Sequence, residues 1–204
     1  MPLRYKDIEG INMTSTDFIN HYWRYYKSLE EKFIKTLQYV EFSVDNFDTY
    51  SIEYTQLLQT IGSEIDVVFK TYCGFQPNDR KNISDYAIVV LQKYPDIVDQ
   101  RARVQFLGEI IEPFANWNTT RPAQSLEWWQ AYNEVKHNRV AQMKKASLKN
   151  VLYSLCALCL LEMKHYEEFD KAKGHDGIIS DSSELFAFIG WMKTDIILAT
   201  IETI

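Results

Sequence analysis

Residues 128–139 have the sequence WWQAYNEVKHNR, and residues 151–161 have the sequence VLYSLCALCLL. The second stretch is apolar on nearly every side of a helix, which is typical of a helix at the centre of a bundle. The pattern extends this helix from about residue 146 to residue 166. Its apolar run of eleven residues is too short to cross a bilayer, which takes roughly 18 or more. The sequence therefore predicts a buried central helix in the C-terminal part of the chain.

Two long amphipathic helices are predicted ahead of it. At the start of the first helix, the side chains of residues 14–17 offer acceptors for the free backbone amides. The second helix ends near Gly74, with Pro77 beyond it. Joined by a short turn containing Asn46 and Asp48, the two helices form an antiparallel hairpin. Their apolar residues recur at helical spacing: Phe18, Tyr22, Tyr25, Leu29, Phe33, Leu37 and Val40, then Tyr50, Tyr54, Leu57, Ile61, Ile65, Val68 and Tyr72.

The remaining segments are shorter. Asn82 or Ser84 can cap a third helix that Pro95 ends, and Ser125 can cap the helix that contains residues 128–139. Residues 101–117 favour a short extended or β segment, although residues 96–107 also fit a helix. Ser182 or Ser183 can cap a final segment over residues 184–204, whose secondary structure the pattern leaves open. The fold class is all-α, a helical bundle in a single domain over residues 1–204.

Composition narrows the class of protein. The net charge of −6 over 204 residues excludes a protein that coats nucleic acid indiscriminately, because such binding needs clustered cations. The three cysteines do not have the number or spacing of a disulfide framework, and they suit a reducing cytosol. Residues 1–10 do not form a signal peptide, so a cytoplasmic location is expected. Residues 135–161 nevertheless contain five cations and none of the 28 acids, so positive charge is concentrated around the motif.

The motif combines side chains suited to acid–base chemistry on a phosphate. On a helix, Asn133 and His137 are four residues apart and within reach of each other, so the amide could fix the imidazole tautomer. Lys136 and Arg139 would hold a phosphate and stabilise the charge that develops on it. These groups suit metal-independent cleavage of RNA, in which a base deprotonates the 2'-hydroxyl. The alternative interpretation is structural, with the aromatics in the core, Asn133 and His137 satisfying each other, and the cations favoured by the helix dipole.

Tyr132-Asn133-x-x-Lys136-His137-x-Arg139 before an apolar helix resembles a group of bacterial proteins of the HEPN superfamily. The resemblance covers residues 125–166 and extends to the two N-terminal helices, against which such a bundle would pack. It implies an all-helical domain of the kind found in toxins and phage-defence systems, active as a metal-independent ribonuclease. It further implies RNA as a partner, a homodimer with a composite active site, and an antitoxin or other defence-system protein as a second partner.

The family's signature has an arginine, then four to six intervening residues, then the histidine, so the arginine would stand where this chain has Gln130, Ala131 and Tyr132. None of the three is cationic. Either Lys136 or Arg139 has therefore taken over the phosphate contact, or the chain is a non-catalytic relative. The candidate site consists of His137 and Asn133 as catalytic residues, Lys136 and Arg139 as RNA-binding residues, and Trp129 and Tyr132 as supports.

Other groups are given structural roles. Cys156 and Cys159 match CxxC but lie within the apolar helix, where two small core residues are the expected interpretation. His21, His165 and His175 have no ligand spacing, so neither a metal nor a cofactor is expected. An acidic helix end, taken as a solvated face, contains Glu162, Glu167, Glu168 and Asp170.

Overall fold

A computed structural model of the chain describes residues 13–190. The first helical segment has three consecutive parts: α1 (Ser15–Phe18), a π-helical turn (Ile19–Trp23) and α2 (Arg24–Thr36). Thr14 caps it in a reciprocal arrangement with Asp17. A π-helical turn holds more residues than an α-helical one, so the buried positions beside it shift by one, whereas Leu29 and Phe33 further along are buried as predicted. Tyr26 is consequently buried and Tyr25 is 43% exposed, the reverse of the predicted stripe.

The second long helix, α3 (Ile52–Tyr72), is capped by the Ser51 hydroxyl and ends at Cys73. Two contacts fix its direction relative to the first: the hydroxyls of Tyr22 and Thr71 lie 3.5 Å apart, and Thr36 donates to the Tyr54 hydroxyl at 3.3 Å. The beginning of one helix therefore lies beside the end of the other. This antiparallel pairing confirms the predicted hairpin, although α2 stops at Thr36 and does not reach Val40.

The central helix is α7 (Leu148–Lys171), which is capped by Ser147 and is buried without interruption over residues 154–162. It packs against α3 and α5 (Glu127–His137), as predicted for the middle of a bundle. The other helical elements are α4 (Ile83–Lys93), which Asn82 caps, α6 (Arg139–Gln142), and 3-10 turns at Val44–Asn46, Pro95–Asp99 and Met143–Lys145.

A small antiparallel sheet makes the all-α prediction incomplete. It contains β1 (Ala102–Val104), β2 (Ile110–Ile111) and β3 (Phe186–Phe188) in the order β2-β1-β3. Ala102 pairs with Ile111 on one side and with Phe188 on the other. The extended segment predicted within residues 101–117 is therefore confirmed, and the helical alternative for residues 96–107 is wrong. β3 was not predicted, and residues 191–204 of the predicted final segment lie outside the described residues.

A buried carboxylate attaches the strand β3 segment to α2. Glu30, 1% exposed, accepts hydrogen bonds from the Leu185 amide at 3.1 Å, from Tyr26 at 2.7 Å and from the Ser183 hydroxyl. Lys27 pairs with its other oxygen at 2.6 Å. Burial acts to raise the pKa of Glu30, but these hydrogen bonds outweigh it and hold the pKa below its ordinary value. In residues 13–190, no helix is long and apolar enough to span a membrane.

Candidate functional site

The helix α5 buries one face against the core from Trp128 to Val135. Trp128 donates its indole N–H to the Pro113 carbonyl at 2.7 Å, and Trp129 and Val135 are also buried. The predicted cap is wrong: the residue before the helix is Leu126, which makes no side-chain cap. Ser125 instead accepts from the Asn118 amide and donates to the Pro122 carbonyl, both at 3.4 Å. The helix is thus positioned by indole packing, and its serine closes the preceding loop.

Both supporting aromatics lie in the core. Tyr132 is 4% exposed and packs directly against Gly62 of α3, where a β-carbon would lie 2.3 Å from the ring. The Trp129 ring lies 5.3 Å from that of Tyr132 and 6.3 Å from that of Phe69, measured between centroids. These residues therefore fix where α5 lies, and they offer no stacking platform to a nucleic-acid base.

Asn133 has a partner other than the predicted one. Its side-chain amide donates to the Trp129 carbonyl, four residues earlier on the same helix, at 3.0 Å. Within residues 13–190, no hydrogen bond joins Asn133 to His137. The structure therefore does not join these two predicted catalytic side chains by a hydrogen bond, and the Asn133 amide bonds to its own helix instead.

His137 is the last residue of α5 and is exposed. Asn138 follows as the cap of α6, with its side chain accepting from the Ala141 amide at 3.4 Å. Lys136 is exposed beside it, with its amine 5.3 Å from the centroid of the Tyr132 ring. Arg139 begins α6 and is also exposed. The imidazole is consequently open to solvent, with a cation on each side of it along the chain.

The cations around His137 form an exposed set that we call the 136–145 surface. In the described part of the chain, its only ion pair joins Lys145 to Glu134 at 3.9 Å. Lys149, further along, pairs with Glu127 at 2.7 Å. The exposed cations of the 136–145 surface that have no carboxylate within ion-pairing distance in residues 13–190 are Lys136, Arg139 and Lys144.

The predicted solvated face of α7 is wrong for two of its four acids. Asp170, 3% exposed, accepts from Ser15 at 2.6 Å and from the Gly177 amide at 3.1 Å, and lies 3.0 Å from His175. Glu162 is fully buried, and neither of its oxygens has a hydrogen-bond partner among the described residues. The sequence signal for this burial was the spacing of Glu162, which follows Leu158 by four residues and so lies within an apolar stripe.

Burial changes the ionisation of the α7 core. It raises the pKa of Glu162 well above its ordinary value, with the negative charge of Glu64 acting in the same direction. It lowers the pKa of His165, packed among aromatic rings, to about 3, so this imidazole is neutral. It also raises the pKa of the Cys156 and Cys159 thiols well above the ordinary value. Both thiols are free and fully buried, as expected for core residues.

Comparison of the chain with protein-family models, with curated proteins and with solved structures found no match in any of the three. Among residues 13–190, no grouping of three or more His, Cys, Asp or Glu side chains could hold a metal ion. The candidate site presents one solvent-exposed imidazole, that of His137, and exposed cations that can hold an anion.

Proposed function

We propose that the 136–145 surface binds RNA and that His137 acts there as the general base or acid of a metal-independent endoribonuclease. The observation that supports this proposal is the exposure of His137 beside Lys136, Arg139 and Lys144, three cations without carboxylate partners among the described residues. Unneutralised cations attract phosphates and release counterions on binding. An exposed imidazole can reach the 2'-hydroxyl of a bound strand, and histidine side chains exchange protons near neutral pH.

Roles within the surface follow from position. Arg139 or Lys136 contacts the scissile phosphate in place of the arginine that is missing at Gln130, Ala131 and Tyr132. Asn133 holds the last turns of α5 through its bond to Trp129 and does not orient the imidazole. The chain acts as a cytoplasmic homodimer in a bacterial defence or toxin system, where the second copy completes the site and a partner protein controls it.

Cleavage tests the catalytic part. Purified protein is incubated with structured and unstructured RNAs in the presence of a chelator, beside the variants His137→Ala and His21→Ala. His21 is also exposed but lies in the π-helical turn, so its variant controls for removing a surface imidazole. We expect cleavage by the parent and by His21→Ala, and a loss of 10²-fold or more in His137→Ala. Equal cleavage by the His137 variant would remove this residue from the mechanism.

Salt dependence tests the binding part. Three phosphate contacts give a slope of log K against log salt of about −2 for single-stranded RNA, and each cation removed makes it shallower by about 0.7. We expect that change for Lys136→Ala and for Arg139→Ala. Lys32→Ala, an exposed cation on α2, serves as the matched control and leaves the slope unchanged. Slopes that are the same in all three variants would locate RNA binding elsewhere.

A second function is favoured by the burial of the motif's aromatics. Trp129 and Tyr132 lie in the core and Asn133 bonds to its own helix, so half of the motif already has a structural role. Under this alternative the chain is a non-catalytic helical interaction or dimerisation protein. It predicts a dimer by sedimentation together with no cleavage of any RNA.

A further inference from the structure

The loop between α2 and α3 lies at one end of the bundle, on residues that the proposed ribonuclease activity does not use. Its two ends adjoin, because Thr36 at the end of α2 donates to the hydroxyl of Tyr54 in the first turn of α3 at 3.3 Å. Compact surface loops whose ends lie close together are frequently functional. We call the exposed side chains of residues 37–53 the 37–53 surface.

Hydrogen bonds fix the shape of this loop. Within it, the Asn46 side chain donates to the Glu41 carbonyl at 2.9 Å. The backbone amides of Leu148 and Lys149, at the start of α7, donate to two carbonyls of the loop at 2.8 and 3.1 Å. A partner would therefore meet a preformed surface, and its binding would lose little free energy to ordering of the loop.

Large apolar side chains of the 37–53 surface face solvent. Tyr39 is 87% exposed, Ile52 68%, Val44 47% and Tyr50 44%. Exposed apolar side chains that gather at one place on a protein mark interaction sites, whereas isolated ones need no explanation. Tyrosine in particular is enriched at interfaces, since its ring offers a large contact area with few rotatable bonds. These side chains therefore suit contact with another polypeptide.

The same surface is acidic. Residues 36–69 include no lysine, arginine or histidine. Lys149 is bonded to the loop through its backbone, but its ammonium pairs with Glu127 at 2.7 Å. Within residues 13–190, no ion pair involves any exposed acid of the 37–53 surface, which are Glu41, Asp45, Asp48 and Glu53. Their negative charge is therefore available to a partner.

This combination of groups selects the charge of the partner. A neutral partner that covered the apolar side chains would draw the neighbouring carboxylates out of water without compensation. A nucleic acid or an anionic membrane would be repelled. Lysine or arginine side chains would compensate the carboxylates and speed the encounter, because the two potentials would be complementary.

We propose that the 37–53 surface binds a segment of another protein that carries lysine or arginine side chains beside an apolar stripe. The stripe lies against Tyr39 and Ile52, and the cations face Asp45 and Asp48. An interface of this size belongs to the small, transient class, so we expect a Kd on the order of 10 µM. The inference does not depend on the proposed ribonuclease activity.

Fluorescence anisotropy with a labelled synthetic peptide tests the proposal. The probe is a short peptide of leucine and lysine, patterned as an amphipathic helix. We expect it to bind the parent, to bind Tyr39→Ala about tenfold more weakly, and to bind the double variant Asp45→Asn, Asp48→Asn about three- to tenfold more weakly. Two comparison peptides, one with glutamate in place of lysine and one with serine in place of leucine, should bind the parent at least ~10-fold more weakly.

Control variants separate this surface from the general acidity of the chain. Ile88→Ala removes an apolar side chain that is 60% exposed on α4, and Asp99→Asn removes an exposed negative charge after α4. Both should bind the probe like the parent. All the substituted side chains are exposed, so the urea midpoints of the variants should match that of the parent.

Several results would overturn the inference. They are no binding of the leucine–lysine peptide, an equal loss of binding in the control variants, and binding of either comparison peptide as tight as that of the probe. A parent dimer that dissociates in Tyr39→Ala, seen by sedimentation, would also overturn it, because the occupant would then be a second copy of the chain. His137→Ala should bind the probe normally, so failure of the ribonuclease proposal leaves this result readable.

Discussion

Replacement of Gly62 by alanine tests whether the close approach of α3 and α5 positions the candidate site. A β-carbon there would lie 2.3 Å from Cδ2 and 2.4 Å from Cγ of Tyr132, whereas carbon atoms normally approach to ~3.5–4.0 Å. The Tyr132 ring has little room to move, because it is 4% exposed and packs beside Trp129. Relief of the overlap therefore requires α3 and α5 to separate.

The expected loss of stability combines two opposing effects. Overpacking of a core costs about 1–3 kcal/mol, and an overlap that involves the inner ring atoms belongs at the upper end of that range. Alanine in place of glycine in a helix recovers about 1 kcal/mol. The net decrease in the free energy of unfolding is about 2 kcal/mol, which lowers the Tm by about 4–8 °C for a chain of this size.

Urea unfolding followed by circular dichroism measures this change in Gly62→Ala. Ser63→Ala, at the exposed neighbouring position of α3, is the matched control for adding an alanine to this helix without an overlap. Combining Gly62→Ala with Tyr132→Ala removes the overlap, so we expect a coupling energy of about 1–2 kcal/mol in the double-mutant cycle. A Gly62→Ala protein as stable as the parent would refute the reasoning, because the two helices would then be free to adjust.

Three further predictions concern ionisable residues. Burial raises the pKa of Glu162, so its contribution to stability is full below about pH 4.3 and is lost as pH rises through the folded-state pKa. The Glu162→Gln variant should therefore be more stable than the parent at pH 8, by about 1–3 kcal/mol. The pKa of Glu30 is lowered, so its contribution is present above about pH 4.3 and is lost as pH falls through the folded-state pKa. Glu30→Ala should cost about 3 kcal/mol at pH 7, the low end for breaking a buried pair, since Lys27 remains partly exposed. His137→Ala should leave the free energy of unfolding within about 0.5 kcal/mol of the parent, as its side chain is exposed.

Urea midpoints between pH 4 and pH 8 check all three. Glu53→Gln and His21→Ala are exposed counterparts for the carboxyl and imidazole variants. The Glu162 prediction fails if its variant gains nothing over the parent on going from pH 5 to pH 8. A Glu30→Ala protein of parental stability would show that the hydrogen bonds to the 183–185 segment contribute little. Destabilisation by His137→Ala would mean that any loss of cleavage could not be assigned to chemistry.

Local signals in the sequence were sufficient for the helices that have clear ends. Asn82 and Pro95 delimit α4 as predicted, and the apolar run in residues 151–161 correctly indicated the buried centre of the bundle. Only half of the strand pairing could be predicted from the sequence. β1 and β2 are close in sequence, but β1 also pairs with Phe186–Phe188, more than 80 residues away, and a strand of three residues has too little periodicity to be predicted alone.

Errors arose where tertiary packing overrides a local pattern. The π-helical turn exchanged the burial of Tyr25 and Tyr26, because spacing rules assume one constant helical period. Glu162 and Asp170 were assigned to solvent by residue type, yet both are buried. In the motif, the exposure of His137 is compatible with the proposed chemistry, whereas the hydrogen bond of Asn133 to Trp129 depends on rotamer choice, which spacing does not determine.

The attachment of Glu30 to the 183–185 segment sets the order in which the protein can be completed during translation. Glu30 and the Leu185 amide are separated by 155 residues, and at ~5–20 residues per second the ribosome takes roughly 8–30 s to cover that interval. Until then, of its partners in the finished fold, only Tyr26 and Lys27 from its own helix have been synthesised. The sheet likewise lacks β3 during this time. A nascent chain arrested before residue 183 would therefore remain an incomplete helical assembly, and a chaperone or protease would meet it in that form.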